Sequence, residues 1–365
     1  MEALISELTL RCSDPLVRTN QTLRSVYFGG GTPSLLEAKQ VEAILSAVKN
    51  RFSTEEPLEV TLEANPGTVD REKLTAFAAA GVTRLTLGVQ TFSPELLSGL
   101  GRLHSVEESL SAIEDAASCD FASLNIDLMY GLSGQTEASW ASDLRQALAL
   151  PVSHLSLYNL TVEEGTPFAR SRAQGKLELP EEDSCRAMYI RAMTETERAG
   201  FNQYEVSNFA KAGAVCQHNR LYWEGDSWLG LGAGAHGFTA ESGRWGRRWW
   251  NLRRPGPYIA TLRRGELPEE GEELLDETQA RDEFVMLGLR RSEGLNLPRF
   301  RERFKLDLLA WEDPTLDDAL RDGLLSLDSE HLRASKDGVI IVDYLISRLS
   351  ASLDRQSRWD RLDRR

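Results

Sequence analysis

The 365 residues contain no CxxC pair and no other metal-ligand spacing. The four cysteines, Cys12, Cys119, Cys185 and Cys216, lie far apart in the chain. That excludes a zinc ribbon and a disulfide scaffold, and it fits a reducing cytosol. No apolar run approaches the roughly 20 residues needed to span a bilayer. The opening Met1-Glu2-Ala3-Leu4-Ile5-Ser6-Glu7-Leu8 has neither a basic n-region nor an apolar h-region, so the expected location is the cytoplasm. Basic residues are the minority, 42 against 56 acidic, for a formal charge of −14. Such a chain repels nucleic-acid phosphates and anionic membrane surfaces, which leaves a small ligand or a protein as the partner.

What is present is a core-forming chain, 41% hydrophobic, long enough for a barrel-sized domain and a smaller one. Short apolar runs at 25–28, 58–62, 84–89, 124–129 and 154–158 predict strands. Between them, 35–49, 71–80, 106–117 and 140–148 carry apolar residues at helical spacing. This alternation predicts an α/β fold with a parallel sheet, either a barrel or a doubly wound sheet. A polar residue closes each strand: Thr32 after the glycines, Glu63, Gln90, Asp127, and Tyr158 with Asn159. Barrels carry their active sites at these strand ends, which favours the barrel. The same residue types also serve as caps and turns.

After a helix at 181–199 the chain becomes irregular and rich in glycine and tryptophan through 203–256, the composition of a cap. Helical segments at 280–289, 297–304 and 317–323, then strand-like 332–334 and 339–342, predict a small winged-helix-like α+β module. Interspersed acidic residues disfavour DNA binding by it. The mixed-charge tail 354–365 reads as a solvated, frayed end. The expected organisation is therefore a barrel at 1–200, a cap at 201–270, the small module at 271–350 and a charged tail at 351–365.

The run Gly29-Gly30-Gly31-Thr32-Pro33-Ser34 follows a strand and opens a helix, where backbone N–H groups can meet an anion. It is neither a Walker loop nor a GxGxxG fingerprint, because the lysine and the glycine spacing are missing. With Glu63-Ala64-Asn65-Pro66-Gly67-Thr68, Gly88-Val89-Gln90-Thr91-Phe92, Leu100-Gly101-Arg102-Leu103-His104 and Asn125-Ile126-Asp127-Leu128-Met129-Tyr130-Gly131-Leu132, it forms an ordered set. That set resembles the oxygen-independent coproporphyrinogen III oxidase-like radical S-adenosylmethionine (SAM) family over nearly the whole chain.

The resemblance implies a SAM pocket, with the methionine amino group near Gly30, Gly31 and Thr32. Glu63, Gln90 and Arg102 would line it, and Asp127 would accept from the ribose hydroxyls. An ammonium, a carboxylate and a diol suit these groups; for Arg102 the alternative is a surface ion pair. The family also implies a [4Fe-4S] cluster held by a CxxxCxxC loop after the first barrel strand. Cys12 is the only cysteine before the glycine run, so the ligands are missing here and the barrel is expected to be a partial (β/α)6-type barrel lacking its first strand. Strand 25–28 would then be a bare apolar edge, which natural sheets avoid. A gene product starting upstream of Met1 is expected, with a cluster-free relative as the alternative.

Cys216-Gln217-His218-Asn219-Arg220-Leu221-Tyr222-Trp223 holds an HNxxYW arrangement that resembles the heme-chaperone branch of the family. On that resemblance His218 is the heme ligand and His236, in a second glycine-rich segment, the reserve. Tyr222 and Trp223 offer flat surfaces for a porphyrin. The implied function is a heme chaperone that hands heme to an acceptor protein, with respiratory and membrane proteins among the acceptors and a homodimer among the assemblies. The alternative is the radical SAM oxidative decarboxylase of coproporphyrinogen III. No nucleic-acid partner is expected.

Overall fold

The computed structural model describes residues 1–14, 22–240, 245–309 and 314–362, with side chains as far as 354. Two compact units result: one from 23–45 and 54–218, the other from the described parts of 1–22, 46–53 and 219–365.

The first unit is built on a seven-stranded open sheet. Its strands are β1 (Thr22–Phe28), β2 (Ser53–Ala64), β3 (Arg84–Gln90), β4 (Ser123–Tyr130), β5 (His154–Asn159), β6 (Asn202–Gln203) and β7 (Asn208–Ala210), in the order β1-β2-β3-β4-β5-β7-β6. Strands β2 to β5 run parallel, with Leu62 opposite Leu85, Leu85 opposite Leu124 and Ile126 opposite Leu155. Every position of β3 is buried, as expected of a central parallel strand covered on both faces. β7 pairs antiparallel with β5, and β6 with β7. The apolar run expected to form an edge is the terminal strand β1.

Helices Arg71–Ala79, Val106–Ala117 and Glu137–Ala149 begin on side-chain caps from Asp70, Ser105 and Thr136, the last two in capping boxes. Their apolar faces join the sheet in one core that includes Phe77, Leu85, Ile126, Trp140 and Leu157. Trp140 is fully buried, and its indole N–H donates to the Met188 carbonyl at 2.9 Å. The helix expected from residue 35 starts at Ala38, because Pro33–Leu35 form a separate 3-10 turn.

In the second unit the stretch expected to be irregular is partly regular. Strands β8 (His236–Thr239), β9 (Arg247–Asn251) and β10 (Glu269–Leu274) form an antiparallel sheet. The glycines permit it: a Cβ on Gly237 would come within 2.0 Å of the Trp249 ring. A buried polar knot fixes the N-terminal helix here. Glu7 accepts from Asn251 and from Tyr258, each at 2.6 Å, and Arg11 donates to Asn251 at 2.8 Å.

The C-terminal part has helices Glu277–Leu289, Leu297–Phe304 and Pro314–Arg321 and an antiparallel sheet of β11 (Leu295–Asn296), β12 (Leu325–Leu327) and β13 (His331–Ala334), ordered β11-β13-β12. Two expectations fail in this part. Residues 339–342 are not a strand: Ser335 caps a short helix Lys336–Ile340 and helix Val342–Leu362 follows. β-branched composition yields there to capping and to burial of Val342, Leu345, Leu349 and Leu353 on one helical face. The same stripe carries the helix into the tail expected to fray, where Asp354 pairs with Arg281; residues 363–365 lie outside the described residues.

Candidate functional site

The glycine run leaves β1 with Gly30 at φ 75° and Gly31 at φ 66°, values that favour glycine, and no atom lies within 4 Å of a Cβ at either. The Gly30 N–H donates to Glu63 Oε2 at 3.1 Å, and the Tyr27 hydroxyl donates to Glu63 Oε1 at 2.6 Å. Burial, then the adjacent Glu63 charge, pushes the Tyr27 phenol far above its ordinary range. The loop, the C-terminal ends of β2, β3 and β4, and Arg102 enclose a cavity of about 190 Å³.

Gln90 ends β3 in the left-handed region at φ 71°, where the β3–β4 register shifts. A Cβ on Gly88 would lie 2.9 Å from the Gln90 amide nitrogen, so a side chain there would displace the Gln90 amide. Arg102 donates to Asn65 Oδ1 at 3.2 Å and lines the cavity, and among the described residues it forms no ion pair; burial lowers its pKa, against the pull of Asp127. Asp127 Oδ1 accepts from Asn125 Nδ2 at 2.8 Å. Burial raises the Asp127 carboxyl to about 6, against hydrogen bonds from Asn125 and Ser156, with Glu63 adding to the rise.

Gly31, Thr32, Glu63, Gln90, Arg102 and Asp127 thus line one cavity, and Gly30 joins it through Glu63. Sequence reasoning did not single out Asn65, Thr86 and Gly88, which also line it, or Tyr27, which holds Glu63. The available signal was the period-2 alternation that sets Thr86 and Gly88 on one face of β3.

His218 opens the helix Gln217–Trp223, whose first N–H groups are accepted by Glu59: Gln217 N at 2.8 Å and His218 N at 2.7 Å. Its ring stacks on Tyr27, 4.7 Å between centroids, and its Nδ1 lies 2.8 Å from Ser25 Oγ. Burial lowers its pKa to about 4, so the imidazole is neutral at physiological pH. His236 is exposed on β8 beside Trp250. Tyr222 and Trp223 belong to the second unit, where they line a separate cavity with Trp228.

The residues present do not fit a [4Fe-4S] cluster. None of the four cysteines is in a disulfide, and among the described residues no three His, Cys, Asp or Glu side chains could hold a metal ion. Cys216 is buried against Glu59, 3.5 Å from its carboxylate.

Residues 16–147 match the radical SAM superfamily and residues 275–341 the HemN C-terminal domain. The heme chaperone HemW of Mycobacterium tuberculosis is 35% identical over 328 residues, 90% of this chain and 81% of the relative. The chain belongs to the HemW family of radical SAM proteins. HemW of Lactococcus lactis is likewise 35% identical, across 87% of this chain and 82% of its own length. The Mus musculus protein named radical S-adenosyl methionine domain-containing protein 1, mitochondrial, is 36% identical across 93% of this chain and 78% of its own. In fold, the chain matches coproporphyrinogen III oxidase (HemN) from Escherichia coli with a TM-score of 0.78 at 21% identity, over 96% of this chain and 82% of that one. The expected barrel-type α/β architecture with a C-terminal domain is borne out. No helix among the described residues is long and apolar enough to cross a membrane.

Proposed function

We propose that this chain is a heme chaperone, which binds heme as cargo and passes it to an acceptor protein, on a barrel whose polar cavity takes SAM. The observation that carries the reading is His218, a buried imidazole kept neutral by burial within an HNxxYW sequence. A neutral imidazole is a competent heme-iron ligand across the physiological range, because no proton has to be displaced from it. His218 rather than the exposed His236 is the ligand, since its ring is already held by Tyr27 and Ser25. The HemW names of the bacterial relatives support the same reading over coproporphyrinogen decarboxylation.

In the cavity, Asp127 would accept the ribose hydroxyls of SAM. Arg102 would take the carboxylate, and Glu63 with the Gly30–Thr32 loop the ammonium. These are binding and orienting roles. The work is placed in the cytoplasm, with a respiratory protein as one class of acceptor.

The test is a hemin titration of the folded chain, checked by circular dichroism and by saturation at a defined stoichiometry, followed by transfer to an apo-acceptor. His218→Ala should shift the Soret maximum and weaken binding, whereas Asp127→Ala should leave both nearly unchanged. Identical spectra with and without His218 would remove it as the ligand. Failure of the folded chain to bind hemin at all would sink the chaperone reading.

A further inference from the structure

The second unit contains a larger cavity, about 340 Å³, within the size range of small-molecule sites, roughly 300–1,000 Å³. Its walls are flat and apolar: Tyr222, Trp223, Trp228 and Phe284 line it, with Trp228 packed edge-on against Tyr222 at 4.7 Å. Such walls suit a planar aromatic ligand.

Four arginines line this cavity, and two of them, Arg248 and Arg291, are paired with Glu283 and Glu293. Arg299 and Arg303 stand one turn apart on helix Leu297–Phe304, and among the described residues neither lies within salt-bridge distance of a carboxylate. Outside the cavity Arg247, Arg281 and Arg290 are paired. Burial and the neighbouring Arg299 charge both lower the Arg303 pKa, with Glu283 opposing them. The two carboxylates that line the cavity are already engaged, Glu283 with Arg248 and Glu224 with Arg220.

Among the described residues two further wall side chains have a buried donor without an acceptor, the indole N–H of Trp223 and Nε of Arg291. Two adjacent guanidiniums suit carboxylates in particular, through paired N–H donors.

Resting on the heme-chaperone reading, we propose that this cavity seats the tetrapyrrole by its macrocycle and carboxylates. The indole and phenyl walls hold the ring, and Arg299 and Arg303 hold the propionates. No histidine or cysteine lines the cavity, and Met286 is its only sulfur. Recognition here is therefore of the ring and its acids rather than of iron, which separates this seat from ligation by His218.

The experiment uses the full chain and metal-free protoporphyrin IX, followed by quenching of tryptophan fluorescence. Protoporphyrin IX should bind one-to-one, and its dimethyl ester should bind about tenfold more weakly or worse. Arg299→Glu with Arg303→Glu should cost about tenfold or more, and the corresponding Lys pair much less. The ester arm uses unaltered protein, so it decides even if the charge-reversed variant fails to fold. Equal binding of acid and ester, or full binding by a folded charge-reversed variant, overturns the seat. If hemin binds through His218 but metal-free porphyrin does not, the seat is wrong and the chaperone reading stands. If neither tetrapyrrole binds, both fall.

Discussion

The two cavities are built on opposite principles. In the sheet unit the groups are mutually satisfied: Glu63 accepts from Tyr27 and Gly30, Arg102 donates to Asn65, and Asp127 accepts from Asn125. In the other unit, among the described residues, Arg299 and Arg303 pair with no carboxylate, although Arg303 donates to the Trp245 carbonyl at 3.1 Å. A site of the first kind is organised before its ligand arrives and discriminates by exchanging hydrogen bonds. One of the second kind holds cations without counter-charges, which an anionic ligand supplies.

The comparison breaks most visibly if the two units do not unfold separately. Trp140→Ala in the sheet unit and Phe300→Ala in the other each empty a fully buried aromatic site and should cost about 3–5 kcal/mol. Each should lower its own transition in urea denaturation followed by fluorescence and circular dichroism. Equal shifts of one shared transition would mean that the chain unfolds as a single body.

Next in size is the pH response of the polar cavity. The Asp127 carboxyl ionises near pH 6, and only the ionised form accepts two hydroxyls fully. SAM affinity, measured by isothermal calorimetry, should rise by up to about tenfold per pH unit below 6 and level off above it. Asp127→Asn should bind weakly at every pH. A wild-type affinity independent of pH would remove Asp127 from the ribose site.

His218 gives a smaller effect of known sign. Its folded pKa, about 4, lies below the ordinary 6.5, so between these values the unfolded chain takes up a proton that the folded chain does not. Stability from this residue is complete above about pH 6.5 and is lost as the pH falls toward 4. His218→Phe should flatten that slope in denaturation midpoints measured across pH 4 to 7, and an unchanged slope would place the titration elsewhere.

The smallest test compares caps. Ser105→Ala in one unit and Asp276→Ala in the other each remove an N-cap from a capping box and should cost about 1 kcal/mol. Thermal melts would show whether each loss stays in its own unit.

The sheet was legible because its central strands are buried on both faces and so read as apolar runs between turn signals, with boundaries close to those observed at β3, β4 and β5. The polar cavity was legible for a related reason: a parallel sheet puts all its strand ends on one side, so Glu63, Gln90 and Asp127 could be grouped without knowing a single contact. What failed was local composition against context. Val339 to Val342 look like a strand until Ser335 caps a helix ahead of them. The aromatic cavity was hidden because Arg299 and Arg303 sit in a charge-rich helix that reads as a solvated face, and only tertiary packing reveals that they lack carboxylates. HNxxYW read as one motif, but His218 packs on β1 whereas Tyr222 and Trp223 line the second unit's cavity.

Tyr27 has a consequence of its own. Its hydroxyl is spent on Glu63 and its ring on His218, so one phenol belongs to two sites. A ligand that draws the Glu63 carboxylate away changes the surface on which the imidazole rests. Equilibrium linkage then fixes the return effect: an occupant that displaces the His218 ring alters the affinity at Glu63 by the same factor. Replacing Tyr27 by phenylalanine would cut one half of that exchange and keep the other, leaving the stack in place while Glu63 loses its donor.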